Sequence, residues 1–231
     1  MKTNPESLIV DEALCLNYKS FFISGNDEAY IFALMVLLVK RFLNNGYIRK
    51  NLTSEDSAVP DLFKSENKYV YVCEKYLDNS MVEEIEKDKD ILIFCEKSST
   101  KNKAVKQFFS NSKERVLLEC YELDQGRKKI ILDWFIEKNS LFVEKNTYWF
   151  LLGLLDNRYA ILEKELEKIF LLENKNNLVE LAAALNMNKL TDANKFFFKL
   201  NLSGSEVTSF LNSSVNSLSD FYSYFSYFKI Y

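Results

Sequence analysis

The sequence predicts a three-layer α/β domain built on a parallel sheet, followed by a helical region. Over residues 1–123, short apolar segments alternate with segments of helical character. The 231 residues include only 5 Gly and 2 Pro, which disfavours small all-β folds because their hairpin turns depend on these residues. Hydrophobic residues make up 48% of the chain and aromatic residues 15%, so an ordered apolar core is expected.

Four segments predict the strands of this sheet. The clearest is 90–95, where four consecutive apolar residues are typical of a strand covered on both faces. The predicted strands are 20–24, 69–74, 90–95 and 116–121, and the helices of the same domain are 29–44, 80–87 and 101–109. Each strand, helix, strand succession must return the chain over a face of the sheet, so the strands are expected to be parallel.

The first predicted strand ends in the turn Gly25-Asn26-Asp27-Glu28, directly before a mostly apolar helix. Asn26 or Asp27 can cap that helix by accepting a hydrogen bond from its free N–H groups, and acidic residues suit the positive end of the helix dipole. Asn44, Asn45 and Gly46 then end the helix, because Gly tolerates a left-handed conformation.

This turn stands where a phosphate-binding loop would stand, but its chemistry is wrong for phosphate. A P-loop needs a second glycine and a Gly-Lys-Ser/Thr sequence. No Gly-Lys pair occurs in the chain, and the carboxylates of Asp27 and Glu28 would repel phosphate. The chain also has no His, so the commonest groups of acid-base catalysis are missing. We expect no catalysis by this chain, no bound cofactor and no metal site.

The four cysteines, Cys15, Cys73, Cys95 and Cys120, are far apart in the sequence and form no C-x-x-C pair. They are interpreted as buried thiols, which fits a reducing cytoplasm. No signal peptide is predicted at the N-terminus. The longest apolar run, 30–39, has ten residues, whereas a membrane span needs roughly 20. No membrane association is expected.

From residue 124 onward the pattern is helical. Helices are expected at 128–139, 147–155, 159–172 and 178–185, which together make a second, helical domain over 124–190. Residues 205–231 are amphipathic and rich in Tyr and Phe, and the region 191–231 reads as the beginning of a further helical domain.

Charged clusters suggest several interpretations. Glu163, Glu165 and Glu167 alternate along a helix, so they cannot converge on one metal ion, and a solvated face is favoured. Two basic clusters could contact a nucleic-acid backbone, although a net charge of −3 makes a solvated surface the favoured reading. These clusters are Lys101, Lys103 and Lys106, and Arg127, Lys128 and Lys129.

Leu62 and Phe63 stand between polar neighbours just before the strand at 69–74. Their spacing alone favours a place at the edge of the core. The alternative is an exposed wedge that enters an apolar pocket of a partner.

Several fragments, taken in order, resemble the delta subunit of the bacterial DNA polymerase III clamp loader. Residues 21–28 resemble the first strand of that family and its vestigial nucleotide loop, which lacks the lysine. Asp61-Leu62-Phe63 resembles the Leu-Phe motif of the family, and 134–136 and 162–169 resemble two helices of its second domain. The resemblance covers residues 18–172 well and 200–228 weakly. The delta-prime subunit is less similar, because its zinc-type cysteine cluster and Ser-Arg-Cys motif are missing here.

This resemblance implies an AAA+-like domain with a degenerate P-loop, a lid-type helical domain and the start of a helical collar. It implies a subunit that binds and opens the ring-shaped sliding clamp (beta subunit) beside the gamma/tau and delta-prime subunits, on DNA, without hydrolysing ATP. Leu62 and Phe63 would be the clamp-binding wedge. Two alternatives stay open: a nucleotide-dependent ATPase with Asp27 and Glu28 as magnesium ligands, and a direct DNA-binding protein that uses Lys101, Lys103 and Lys106.

Overall fold

The computed structural model describes residues 2–52, 67–74, 79–87, 89–97, 103–176, 181 and 185. Their contacts divide into two compact units, the first over Met1–Ile131 with Arg158–Ala160 and the second over Leu132–Asn157 with Ile161–Tyr231. The strands are β1 (Lys2–Thr3), β2 (Ser20–Gly25), β3 (Ile48–Asn51), β4 (Tyr69–Cys73), β5 (Ile91–Glu96) and β6 (Arg115–Cys120). The helices are α1 (Pro5–Val10), α2 (Glu28–Asn44), α3 (Asn79–Lys87), α4 (Lys103–Ser110), α5 (Gln125–Lys138), α6 (Lys145–Leu154) and α7 (Tyr159–Leu171), and a 3-10 helix covers Leu14–Asn17.

The first unit is built on a six-stranded sheet in the order β1-β6-β2-β5-β4-β3, and all its neighbouring strands are parallel. This confirms the predicted α/β fold class. The central strand β2 is buried along its whole length, and β5 is buried in all but its last residue. Their continuous apolar sequences therefore reflect coverage on both faces.

Two consecutive phenylalanines of β2 identify the three layers, because successive side chains of a strand point to opposite faces. Phe21 packs against Phe42 of α2, with 5.7 Å between ring centroids. Phe22 packs on the other face against Phe109 of α4, at 5.6 Å. Val82 of α3 belongs to the same buried cluster as Phe22, so α3 and α4 cover one face of the sheet and α2 covers the other.

Sequence reasoning missed β1, α1 and β3. β1 has two residues, too few for a periodic pattern, and β3 is exposed at all four positions. The short helix α1 ends against α2, where the buried Arg41 donates hydrogen bonds to the carbonyl oxygens of Leu8 and Ile9. Such a contact between distant positions leaves no local signal.

In the second unit, α6 and α7 correspond to the predicted helices at 147–155 and 159–172, and α5 begins in the first unit and continues into the second. The buried residues of α7 in this unit include Leu162, Leu166 and Ile169, whose helical spacing places them on one apolar stripe. The predicted helices at 178–185 and 205–231 lie largely or wholly outside the described residues. Within the described part of the chain, no helix has the length and apolar character that a membrane crossing requires.

Candidate functional site

The turn Gly25-Asn26-Asp27-Glu28 lies at the carboxyl end of β2, where it meets the end of the adjacent strand β6. A Cβ atom on Gly25 would lie 1.9 Å from the carbonyl oxygen of Cys120. The main-chain N–H of Asp27 donates a hydrogen bond to that same oxygen, at 3.3 Å. The glycine is therefore required by the close approach of two backbones.

Asp27 is the N-cap of α2. The sequence predicts either Asn26 or Asp27 as this cap, and the structure shows Asp27. Its Oδ1 accepts a hydrogen bond of 2.9 Å from the main-chain N–H of Tyr30. The next residue, Glu28, forms an exposed ion pair of 2.9 Å with Lys97, which follows β5. Hydrogen bonding to Glu28 raises the pKa of Lys97.

These contacts place two carboxylates at the start of α2 and use one of its free N–H groups. A phosphate at a helix start is held by free N–H groups and by positive charge. Here a carboxylate already accepts from one such N–H, and a second carboxylate stands beside it. Among the described residues, no group of three or more Cys, Asp or Glu side chains is arranged to hold a metal ion.

A buried ionic cluster of Glu6, Tyr30 and Arg127 joins the first turns of α1, α2 and α5. The carboxylate of Glu6 is fully buried and accepts from the Tyr30 hydroxyl at 2.7 Å. It also accepts from Nε and a terminal nitrogen of Arg127, at 3.0 and 2.6 Å. The ring of Tyr30 stacks on that of Tyr159, with 4.3 Å between centroids.

Burial is the largest single influence on the pKa values of Tyr30 and Arg127, and it acts in opposite directions on them. It strongly raises the pKa of the Tyr30 hydroxyl, and the charge of Glu6 adds to the effect. For Arg127, burial opposes the charged form, but the hydrogen bonds to Glu6 and the nearby negative charges, that of Glu6 first, together outweigh it and raise the pKa. The second oxygen of Glu6, Oε2, is buried and has no hydrogen-bond partner among the described residues. Sequence reasoning missed this cluster, since its members are 24 and 121 positions from Glu6.

The second basic cluster read from the sequence does not exist as a surface patch. Arg127 is paired with Glu6, and Lys128 is only 4% exposed. Helical geometry turns these neighbours to different sides of α5, and only Lys129 is exposed. Neither the nucleic-acid reading nor the solvated-surface reading is correct for Arg127 and Lys128.

Of the first basic cluster, Lys101 and the side chain of Lys103 lie outside the described residues. Lys106 is largely covered, and its Nζ lies 3.8 Å from the carboxylate of Glu119. Glu119 also pairs with Lys2, at 2.7 Å. The contact of these lysines with DNA stays a prediction.

The three glutamates of α7 differ in their surroundings. Glu163 and Glu167 are exposed, and Glu167 pairs with Lys164 at 2.7 Å. Glu165 is only 8% exposed and accepts a hydrogen bond of 2.8 Å from the main-chain N–H of Asp156. The solvated-face interpretation is therefore wrong for Glu165, which fixes the loop before its own helix.

Leu62 and Phe63 lie outside the described residues, in the connection from β3 to β4. Their role as a wedge, like the alternative place in the core, stays a prediction. The buried thiols are confirmed, because all four cysteines are buried and none forms a disulfide. Burial raises the pKa of Cys95 to about 12.

No protein-family model matches the sequence, and no curated protein matches it at a significant level. Solved structures similar to this chain include three proteins of DNA metabolism. The Bacillus subtilis DNA clamp loader delta protein YqeN has a TM-score of 0.48 and 11% identity, over 84% of this chain and 71% of that one. Replication initiator DnaA bound to AMPPCP and single-stranded DNA has a TM-score of 0.43 and 14% identity, over 83% and 67%. The Thermotoga maritima RuvB Holliday junction branch migration motor has a TM-score of 0.40 and 12% identity, over 86% and 68%. At these values the matches carry no inference about function.

Proposed function

We propose that this chain is a delta-type subunit of a bacterial clamp loader, which binds and opens a ring-shaped sliding clamp without using ATP itself. The observation that carries the proposal is the acidic turn after β2, which caps α2 with its own carboxylate. Asp27 caps α2 through the N–H of Tyr30, Glu28 adds a second negative charge, and no Gly-Lys pair exists in the chain. An ATPase-like position that disfavours phosphate suits a subunit that works by binding a partner.

The order of elements along the chain supports two separate roles within the first unit: the sheet and its helices form the scaffold, and a connection between strands holds the binding residues. The sheet and the helices α2, α3 and α4 form a scaffold with a buried core. On one face of the sheet, Phe22 packs against Phe94 and Phe109. The motif Leu62-Phe63 belongs to the connection between two strands of this scaffold. Binding residues on a connection held by a rigid scaffold are a common arrangement in proteins.

Opening would use binding energy alone. A partner shifts a conformational equilibrium only by the difference between its affinities for the two states. The Leu62-Phe63 pair would therefore enter an apolar pocket of the clamp that is more accessible in the open ring. ATP would act through neighbouring loader subunits of the gamma/tau and delta-prime types, with Lys101, Lys103 and Lys106 near the DNA that the assembled loader holds.

The test is binding of the purified chain to the sliding clamp of the same organism, measured by surface plasmon resonance. The Leu62→Ala/Phe63→Ala variant is expected to lose at least about 100-fold in affinity, because central apolar anchors dominate interface energies. The matched control is Phe142→Ala/Leu171→Ala, which also removes one Phe and one Leu, from positions 78% and 80% exposed. We expect its affinity to stay within about twofold of the parent, since the loss of exposed side chains away from an interface is nearly neutral.

Thermal unfolding of every variant separates binding from folding. A Leu62→Ala/Phe63→Ala variant that unfolds at the parent temperature but does not bind supports the wedge. Unfolding of this variant alone would assign the pair to the core. A folded parent chain that does not bind the clamp overturns the proposed function.

A further inference from the structure

The strand β3 (Ile48–Asn51) forms one edge of the sheet, because β4 is its hydrogen-bonded neighbour and no described strand lies beyond it. All four residues of β3 are exposed, including the apolar side chain of Ile48, which is 46% exposed. Edge strands of this kind are templates for pairing with another extended chain. We refer to Ile48–Asn51 as the β3 edge.

The hydrogen bonds of β3 determine which of its main-chain groups face outward. The N–H of Ile48 donates to the oxygen of Lys68, and the N–H of Leu52 donates to the oxygen of Val72, both at 2.8 Å. Every second residue of a parallel strand bonds to a given neighbour. The main-chain N–H and C=O groups of Arg49 and Asn51 therefore point away from β4.

Three exposed cations lie on β3 or directly before its neighbour β4. These are Arg49, Lys50 and Lys68. The ammonium of Lys50 lies over the ring of Tyr69, with Nζ 3.8 Å from the ring centroid, and this cation–π contact orients the side chain. Arg49 is placed by a hydrogen bond of 3.2 Å from its Nε to Asn51 Oδ1. Asp90, which contacts this part of the sheet, is buried and accepts from the main-chain N–H of Tyr69 at 2.8 Å.

We propose that the β3 edge binds an extended, acidic peptide segment of a partner protein by strand addition. Main-chain pairing with Arg49 and Asn51 supplies the affinity, and the cations of Arg49, Lys50 and Lys68 select acidic side chains. The same cations repel a second copy of β3, so the edge is closed to self-pairing and open to an acidic strand. This inference does not rest on the clamp-loader proposal.

A peptide fits these observations better than a nucleic acid does. A nucleic-acid backbone would use the positive charge alone. It has no peptide groups with the spacing that pairs to Arg49 and Asn51 of the strand. The outward main-chain groups thus decide between the two classes of partner.

The probe is a fluorescein-labelled ten-residue peptide that alternates Glu and Val and is blocked at both ends. Its anisotropy is measured against the full chain, and saturable binding is expected. Two control peptides define the mode: one with Lys in place of Glu, and one with N-methyl groups on every second residue, which removes the strand hydrogen bonds. Neither control peptide is expected to bind.

The decisive variant is Asn51→Pro, which removes an outward N–H and leaves the bonds between β3 and β4 intact, since proline is tolerated at such edge positions. We expect it to weaken peptide binding about five- to tenfold, the effect of one net hydrogen bond. The matched control is Asn51→Thr, which keeps the N–H and favours a strand, and which should bind within about twofold of the parent. Circular dichroism and the urea midpoint report whether each variant is folded.

A second variant, Arg49→Gln/Lys50→Gln, tests the charge in case Asn51→Pro does not fold. It should weaken binding and reduce the dependence of binding on salt. The proposal is overturned if the folded parent does not bind the peptide, or if the Asn51→Pro and Asn51→Thr variants bind alike. Displacement of the peptide by single-stranded oligothymidine would also overturn it and assign the edge to nucleic acid.

Discussion

At Gly25 the backbone of β2 lies directly against the backbone of β6. Its absent side chain lets the backbone pass the end of β6, where a Cβ would lie 1.9 Å from the Cys120 oxygen and 2.6 Å from its carbon. These are backbone atoms of a central strand pair, so neither partner can move aside without breaking the ladder between β2 and β6.

Gly25→Ala is expected to destabilise the protein by at least about 1–3 kcal/mol, the usual effect of overpacking a tight contact. Gly153→Ala is the matched control, because a Cβ there meets nothing within 4 Å and alanine favours a helix by up to about 1 kcal/mol. The free energy of unfolding in urea measures both. Equal stability of the two variants would contradict the close approach at Gly25.

At the scale of elements, one carboxylate joins the first turns of three helices, all within the first unit. Glu6 lies in the first turn of α1, and it accepts from Tyr30 in the first turn of α2 and from Arg127 in the first turn of α5. A buried charge is tolerated only when it is paired and hydrogen-bonded. The cluster therefore fixes the short helix α1, which has six residues and is too short to be stable alone.

Arg127→Met is expected to cost about 3–5 kcal/mol of stability, because it leaves the Glu6 charge buried without its cation. The double variant Glu6→Gln/Arg127→Met should be more stable than this single variant, since a neutral Gln still accepts from Tyr30. Lys129→Met, at an exposed position of the same helix, should change stability by no more than about 0.5 kcal/mol. Urea unfolding at pH 7 compares the three, and a double variant as unstable as the single one would refute the burial argument.

At the scale of the whole molecule, a second ionic cluster makes stability depend on pH. Glu86 of α3 accepts from the Ser20 hydroxyl at 2.6 Å and from Arg115 at 2.9 and 2.8 Å. Burial alone would raise the pKa of Glu86, but the hydrogen bonds from Arg115 and Ser20 lower it below the ordinary value of 4.5. A carboxyl with a lowered pKa stabilises the folded state above its unfolded pKa, and this contribution is lost as the pH falls through the folded pKa.

The parent is therefore expected to exceed Glu86→Gln in stability by about 1.5–3 kcal/mol at pH 7, the usual contribution of hydrogen bonds to a charged group. The difference should shrink as the pH is lowered from 4.5. Glu84→Gln, at an exposed position of the same helix, is the control and should remain close to the parent throughout. Urea unfolding between pH 7 and pH 3 measures these differences, and a pH-independent gap between parent and Glu86→Gln would refute the assignment.

The sequence alone determined the parallel α/β sheet, the capped helix α2 and the helical second region. These features are set by local physics: continuous apolar strands such as β2 and β5, the carboxylate of Asp27 at a helix start, and the stripe of Leu162, Leu166 and Ile169. The same reading predicts a turn unsuited to phosphate from the residue types at adjacent positions.

Only the tertiary structure decided the roles of Glu6, Arg127, Lys128 and Glu165. The sequence predicts Arg127, Lys128 and Glu165 to be surface charges and does not single out Glu6. In the structure, the environment of each is set by ion pairing, hydrogen bonding or burial that depends on how distant elements pack. The outward main-chain groups of the β3 edge likewise depend on register with β4. Local patterns encode which elements form, whereas the burial and pairing of a charge depend on which elements the fold brings beside it.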